Sequence, residues 1–349
     1  MPIRRLLALV PLLALPHAAA DPIAYVSNQK GNISTIDLKT FDVGAEIDVG
    51  GGSPRGIGVT ADGKLLVVAS RDRGDLAVVD LATGKLRTRI AIGKNPEFVR
   101  VRGNLAFVSF EPASDGGPPP KPGSKEAQEA KKKREEAKEQ PARVAVVDLA
   151  AGTKLREIVA GMETEGIEFS ADGTKLVVTN EDDNNLGVHD LASGRLLKTV
   201  DTKPYGNRPR GIKVSPDGRS YVASIEFGNK LVVLDADFNV LKAVPTGDTP
   251  YGTAFSRDGS RLYVALARGK ALQVFDTARW EPVAQYPIGD RCWHFSFTPD
   301  DKHILAACGR SDEVVVLDAE GRLVKRIAEK RQPWGIVTWP KSVGSLDAP

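Results

Sequence analysis

Seven three-residue motifs carry nearly all of the chemistry-bearing variation in this 349-residue chain: Pro54-Arg55-Gly56, Pro96-Glu97-Phe98, Thr164-Glu165-Gly166, Pro209-Arg210-Gly211, Pro250-Tyr251-Gly252, Cys292-Trp293-His294 and Pro333-Trp334-Gly335. The flanking positions are nearly constant, and a proline or glycine there serves the backbone. The middle positions differ: Arg55, Glu97, Glu165, Arg210, Tyr251, Trp293 and Trp334. Two guanidinium groups, two carboxylates and three aromatics suit a flat, anionic or polyfunctional small molecule. Arginine pairs with carboxylates and aromatic rings stack on a planar body. Arg208 and Arg291 add positive charge nearby, and His294 replaces the usual glycine. No nucleophile–base signature accompanies these residues, so capture of a ligand is expected over catalysis.

Elements with a regular repeat must bring such scattered motifs together. The segment Pro209 to Gly247 holds four short runs rich in Val, Ile, Leu and Tyr, separated by Gly, Asp and Asn clusters. That pattern is one of β-hairpins. The aspartate ending the third run recurs at Asp37, Asp80, Asp148, Asp190, Asp235, Asp276 and Asp318, in steps of 43, 68, 42, 45, 41 and 42 residues. A period in the low forties with four strands per unit predicts a seven-bladed β-propeller of four-stranded antiparallel blades. Ala24–Asn28 aligns with second strands and Pro333–Val337 with first strands. The C-terminal strand is therefore expected to complete the N-terminal blade and close the ring. On this reading the last fifteen residues are needed and the last six are dispensable.

Strand order sorts the loops onto two faces. The Asp-Gly turns such as Pro216-Asp217-Gly218, and the turns after the repeated aspartate, lie on one face and read as structural. The seven motifs and the loops between second and third strands share the other. The long step contains an insertion, residues 111–142, that is Pro-rich and then Lys/Glu-rich. Without apolar residues it builds no core; it is expected to be a solvated spacer or, alternatively, a partner-docking arm.

Residues 1–20 read as a signal peptide, with Arg4-Arg5, the apolar run Leu6–Leu15 and Ala18–Ala20 before a mature start at Asp21. A periplasmic protein is expected. No later run approaches the roughly twenty apolar residues of a membrane span. The net charge of +3 comes from the leader and the insertion, and the remainder is slightly acidic. Nucleic-acid binding therefore has no electrostatic footprint.

Cys292 and Cys308 stand about equally far from the turn at Asp300-Asp301. Antiparallel pairing sets them opposite one another, so a cross-strand disulfide is expected in an oxidising compartment; a redox-active pair beside Trp293 is the alternative. A lone His294, with His189 and His303 on other strands, supports neither a histidine-rich metal site nor Cys-x-x-Cys-His haem attachment. One axial histidine for a bound cofactor stays open.

Tyr25-Val26-Ser27-Asn28 and the recurring Pro-Arg-Gly-Ile and Ser-Pro-Asp-Gly segments resemble the YVTN-type β-propeller repeats. The ordered set Ser53–Ile57, Asn95–Glu97, Glu165-Gly166 with Asn180–Asp183, Arg291–Trp293 with Phe297–Asp300, and Pro333–Gly335 is most similar to the periplasmic propellers associated with quinone-cofactor (PQQ)-dependent alcohol catabolism. The resemblance spans the mature chain outside 111–142. It implies a seven-bladed fold and no established catalytic residues. As ligands it implies PQQ or another quinone or haem-type group, and as partners a periplasmic dehydrogenase, a cytochrome or a transporter component. Two alternatives remain: a lactonase-like hydrolase using Glu165, Arg210 and His294, and an interaction scaffold using the insertion.

Overall fold

Val, Ile and Leu fill the second and third strands of every repeat, and these are buried on both faces, as in Leu65–Ser70 and Asp75–Asp80. The outermost strands carry alternating charge and stay exposed, as in Lys85–Ala91. A sheet of this kind is stable only between copies of itself. In the computed structural model seven antiparallel sheets are arranged in that way. It describes residues 21–112, 140–329 and 331–347 and a few residues between 123 and 132. The leader and most of the insertion lie outside the described residues. Among the described residues, no helix is long and apolar enough to cross a membrane.

Blades 2 to 7 each run in sequence from an innermost to an outermost strand. Their innermost strands are Pro54–Val59, Val99–Arg102, Thr164–Phe169, Pro209–Val214, Pro250–Phe255 and Cys292–Phe297. Blade 1 is made of Ile23–Asn28 and Ile33–Asp37 with Pro333–Trp339 as its innermost strand. The expected closure is thus present, and it removes the open sheet edge. The fourth strand of blade 1 is reduced to the isolated bridges Ile33–Ile47 and Ile36–Val43.

Neighbouring blades interlock through aliphatic layers. Val177, Leu186 and Val188 of blade 4 meet Ile212, Tyr221, Ala223 and Val232 of blade 5. Each such side chain contributes about 1.5–3 kcal/mol when fully buried. The repeated aspartates act locally: Asp148 Oδ1 accepts from the backbone N–H groups of Ala150 and Ala151, both at 2.9 Å. Cys292 and Cys308 pair directly in register and form the disulfide.

The far end of the chain departs from the expectation. After Trp339 the chain re-enters the ring and lies along blade 7, with a bridge between Gly344 and Ser296. Leu346 is 2 % exposed and Asp347 3 %. Arg100 of blade 3 donates to the Leu346 carbonyl at 2.9 Å, and Lys213 of blade 5 donates to the Asp347 carbonyl. Residues reached from three separated blades sit on the channel axis, so the tail forms a floor within the channel. Below it Arg100 pairs with Glu168 at 2.5 Å, both fully buried. Burial, reinforced by Arg100, pushes the Lys213 amine down to about 7. Residues 344–347 are thus packed into the ring, where the sequence suggested an end free of it. Hydrophobic periodicity cannot announce a tail that binds through its carbonyls.

Deleting residues 344–349 should lower stability by about 3 kcal/mol, combining the lost burial of Leu346 with the lost bonds from Arg100 and Lys213 to the tail carbonyls. Urea melts of the full and shortened chains measure this. Equal midpoints would mean that the tail is not part of the ring.

Candidate binding site at the channel mouth

Crowding of seven strand starts around one axis fixes the backbone first. A Cβ on Gly211 would lie 2.6 Å from the Tyr251 carbonyl oxygen, and one on Gly56 2.6 Å from the Glu97 carbonyl oxygen. The glycine of one blade thus makes room for the carbonyl of the variable residue on the next. That carbonyl is also gripped by a hydroxyl: Ser27 bonds Arg55 O at 2.6 Å, Thr179 bonds Arg210 O at 2.8 Å, and Ser224 bonds Tyr251 O at 2.6 Å. The pairing between first and second strands shifts register at Pro54/Ile57, Thr164/Ile167, Pro209/Ile212 and Pro250/Thr253. These β-bulges fall on the variable residues and turn their side chains toward the mouth.

A second ring lies two residues earlier. Ser53, Asn95, Glu163, Arg208, Thr249, Arg291 and Gln332 all have positive φ, between 49° and 64°. Glycine would adopt this backbone freely, whereas most other side chains cost roughly 1 kcal/mol or more there. A third ring is the residue following each second strand. In every blade but the third its backbone N–H bonds the carbonyl of the second ring, as Glu181 does to Glu163 and Glu226 to Arg208, both at 2.9 Å. Gln29, Arg71, Glu111, Glu181 and Glu226 hold this position in five blades, and Ala267 and Gly309 in blades 6 and 7. Comparing the loop starts, as was done for the innermost strands, would have singled out Glu181 and Glu226; the sequence reading missed both.

The three rings enclose a cavity of about 320 Å³. On blades 4 and 5 they are saturated with ion pairs. Arg210 contacts Glu165, Glu181 and, at 2.7 Å, Glu226, and its guanidinium lies 4.8 Å from the Tyr251 ring centre. Arg208 contacts Glu181 and Glu163, the latter at 2.8 Å. Tyr251 donates to Glu165. Burial opposes charge on Glu165, yet Arg210 and hydrogen bonds from Glu181 and Tyr251 hold its pKa well below the usual carboxylate range. At Glu181 burial outweighs Arg208 and Arg210, and the Glu165 charge adds to it, so this carboxyl is pushed well up. Arg55 is engaged by Glu97, which Arg71 also approaches at 3.7 Å.

Blades 6, 7 and 1 differ. The Trp293 indole is half-buried and lies directly on Gly309, where any Cβ would collide with it. Trp334 is 2 % exposed and meets His294 with ring centres 4.4 Å apart. His294 sits beneath the mouth, 2 % exposed, between Trp334, Tyr251 and Phe98. Its Nδ1 is 3.0 Å from Ser345 Oγ of the tail, and its Nε2 is buried without a partner. Of the eight residues expected at the rim, seven line the cavity and His294 does not. Among the described residues, no group of three or more His, Cys, Asp and Glu is arranged for a metal ion.

Burial, with Lys213 and Arg210 adding repulsion, pushes the His294 imidazole down to about 3 from 6.5. Between those values the unfolded chain binds a proton that the folded chain refuses. This histidine's contribution is therefore intact above pH 6.5 and is lost as pH falls toward 3. His294→Gln, whose amide retains a group for Ser345, should narrow the difference between urea midpoints at pH 7 and pH 4.5. An unchanged difference would contradict a neutral, buried imidazole.

The family model of YNCE-like beta-propellers matches residues 18–104. No curated protein matches the sequence. Solved structures similar over most of the chain include a functionally unknown protein from Desulfotomaculum acetoxidans, 17 % identical with a TM-score of 0.73, covering 90 % of this chain and 98 % of that one. Hydrazine synthase of Kuenenia stuttgartiensis is 20 % identical with a TM-score of 0.69 over 85 % and 92 % of the two chains. The periplasmic gluconolactonase of Pseudomonas aeruginosa is 18 % identical with a TM-score of 0.69 over 91 % and 98 %. At these identities the likeness is one of fold: this chain is a seven-bladed β-propeller.

Proposed function

We propose that this protein is a non-catalytic, extracytoplasmic binding propeller that captures a small anionic or planar ligand at its channel mouth. The observation that carries the reading is the state of the acidic residues there. Both oxygens of Glu165 and both of Glu181 are engaged by Arg208, Arg210 or Tyr251. A carboxylate so held is a wall of the site and is poorly placed to take a proton from water. The mouth is a cup closed by the tail, a shape suited to holding a small ligand. The disulfide supports an oxidising compartment, hence the periplasm.

The finer reading, service to a PQQ-dependent alcohol-oxidation system, rests on the motif resemblance. A planar polycarboxylate such as PQQ fits the residues present: Arg291 and Arg310 for its carboxylates and the half-buried Trp293 for its ring. A haem-type group with His294 as axial ligand does not fit, because that imidazole is sealed behind Tyr251 and Trp334. A dehydrogenase, cytochrome or transporter component would dock around the mouth, beside which the 111–142 insertion leaves blade 3.

A lactonase is the second reading. It is favoured by the Glu165–Glu181 pair, two adjoining acidic groups whose pKa values are driven apart, Glu165 down by Arg210 and Glu181 up by burial, and by the gluconolactonase among proteins of similar shape. The two readings separate in one set of assays. Planar and anionic ligands, PQQ first, should quench tryptophan emission saturably, and Trp293→Phe should lose most of that signal. Glucono-δ-lactone should open no faster with protein than in buffer. Lactone hydrolysis that disappears in Glu165→Gln would replace binding with catalysis.

A further inference from the structure

Charge is not evenly matched around the mouth. On the blade 6 and blade 7 side three arginines converge: Arg291 at the start of blade 7's innermost strand, and Arg268 and Arg310 on the adjoining loops. Backbone bonds tie them together, since Arg291 N–H donates to Ala267 O at 2.9 Å and Gly309 N–H to Arg291 O at 3.1 Å. Among the described residues neither Arg268 nor Arg310 has an acidic side chain within ion-pairing distance, and both are exposed. Arg268 rests over the Phe227 ring at 5.7 Å. Glu226 faces Arg291 with Oε1, 3.9 Å from Nη1 and beyond hydrogen-bond reach, while its Oε2 is bonded to Arg210 at 2.7 Å.

Arg291 is the least satisfied of the group. Its Nε and Nη1 are buried without hydrogen-bond partners, a costly state for a charged donor. Burial lowers its pKa, Glu226 opposes this, and repulsion from Arg310 and Arg268 adds to the lowering. It also occupies a backbone with φ of 53°, where glycine would be free of strain. A long cationic side chain kept at a strained position, with donors unused, is organised for something that is not part of the chain. Ala267 and Gly309 stand where other blades carry Gln, Arg or Glu, so the loops beside Arg291 supply no carboxylate within hydrogen-bond distance of it.

We propose that Arg291 and Arg310, with Arg268 at the edge, form a subsite for a small carboxylate or phosphate anion seated beside the Trp293 indole. This deepens the binding reading above and rests on it. It also moves the anion away from Arg55 and Arg210, whose guanidinium groups are committed to Glu97 and to Glu165, Glu181 and Glu226. Paired N–H groups give such an anion two parallel bonds, and the aromatic face excludes water from one side.

Titration of the full chain with citrate and, separately, inorganic phosphate, followed by calorimetry and Trp293 emission, tests the subsite and distinguishes the two anion classes. Arg310→Gln should weaken the better probe about tenfold, the loss expected for one charged hydrogen bond. Arg291→Lys, which keeps the charge and removes the fork, should weaken it several-fold. Arg279→Gln, on an exposed outer turn, should change nothing. Binding unaffected by Arg310→Gln and Arg291→Lys would overturn the subsite and leave the mouth as a site for ligands held elsewhere. An equal loss in Arg279→Gln would reduce the effect to general attraction and overturn it as well. If neither anion binds, the subsite falls, and the binding reading falls with it only when PQQ also leaves tryptophan emission unchanged.

Discussion

At five of the seven strand starts around the axis, those with glycine, there is no space for a side chain where one blade's backbone meets the next. Gly56 and Gly211 meet that constraint by pressing directly on the carbonyls of Glu97 and Tyr251. Once those carbonyls are pinned, and those of Arg55, Arg210 and Tyr251 are held by Ser27, Thr179 and Ser224, the neighbouring side chains have one direction left, toward the mouth. The chemistry of the rim follows from the packing of the ring. Positions with the same backbone can hold arginine, glutamate, tyrosine or tryptophan because only their main chain is prescribed.

The same constraint explains the division of the mouth. On blades 4 and 5 long acidic and basic residues occupy all three rings and pair with one another, which gives Arg210 its three carboxylate partners. Taking such charges from water is costly, and the contacts return that cost only when nearly every oxygen and N–H is used. On blades 6 and 7 the third ring shrinks to Ala267 and Gly309, so Trp293 lies down and Arg291 keeps free donors. One side of the cup is a closed network that sets shape. The other is an unfinished one that invites a ligand.

The ring itself was legible in the sequence because its cause is periodic. The aspartate spacing follows from a turn repeated in every blade, and the Cys292–Cys308 pair follows from counting residues to a hairpin turn. The rim residues were legible for the same reason, since they interrupt a pattern. What escaped has no period. Glu181 and Glu226 look like ordinary loop residues until the ring brings them to Arg210. The tail from Ser342 to Asp347 carries two buried apolar residues, Val343 and Leu346, in no regular period, and binds otherwise through its carbonyls and the hydroxyls of Ser342 and Ser345. His294 stands in a rim motif, yet its ring turns beneath the mouth because Ser345 and Trp334 hold it there.

The unfinished side of the cup decides where an anion settles. A crystal of the full chain soaked in selenate, with the selenium located by anomalous scattering, answers that directly. One strong site between Arg291 and Arg310, beside Trp293, is the result this account predicts. Selenate found only on the outer strands, or beside Arg55 and Arg210 with their glutamates displaced, would contradict it.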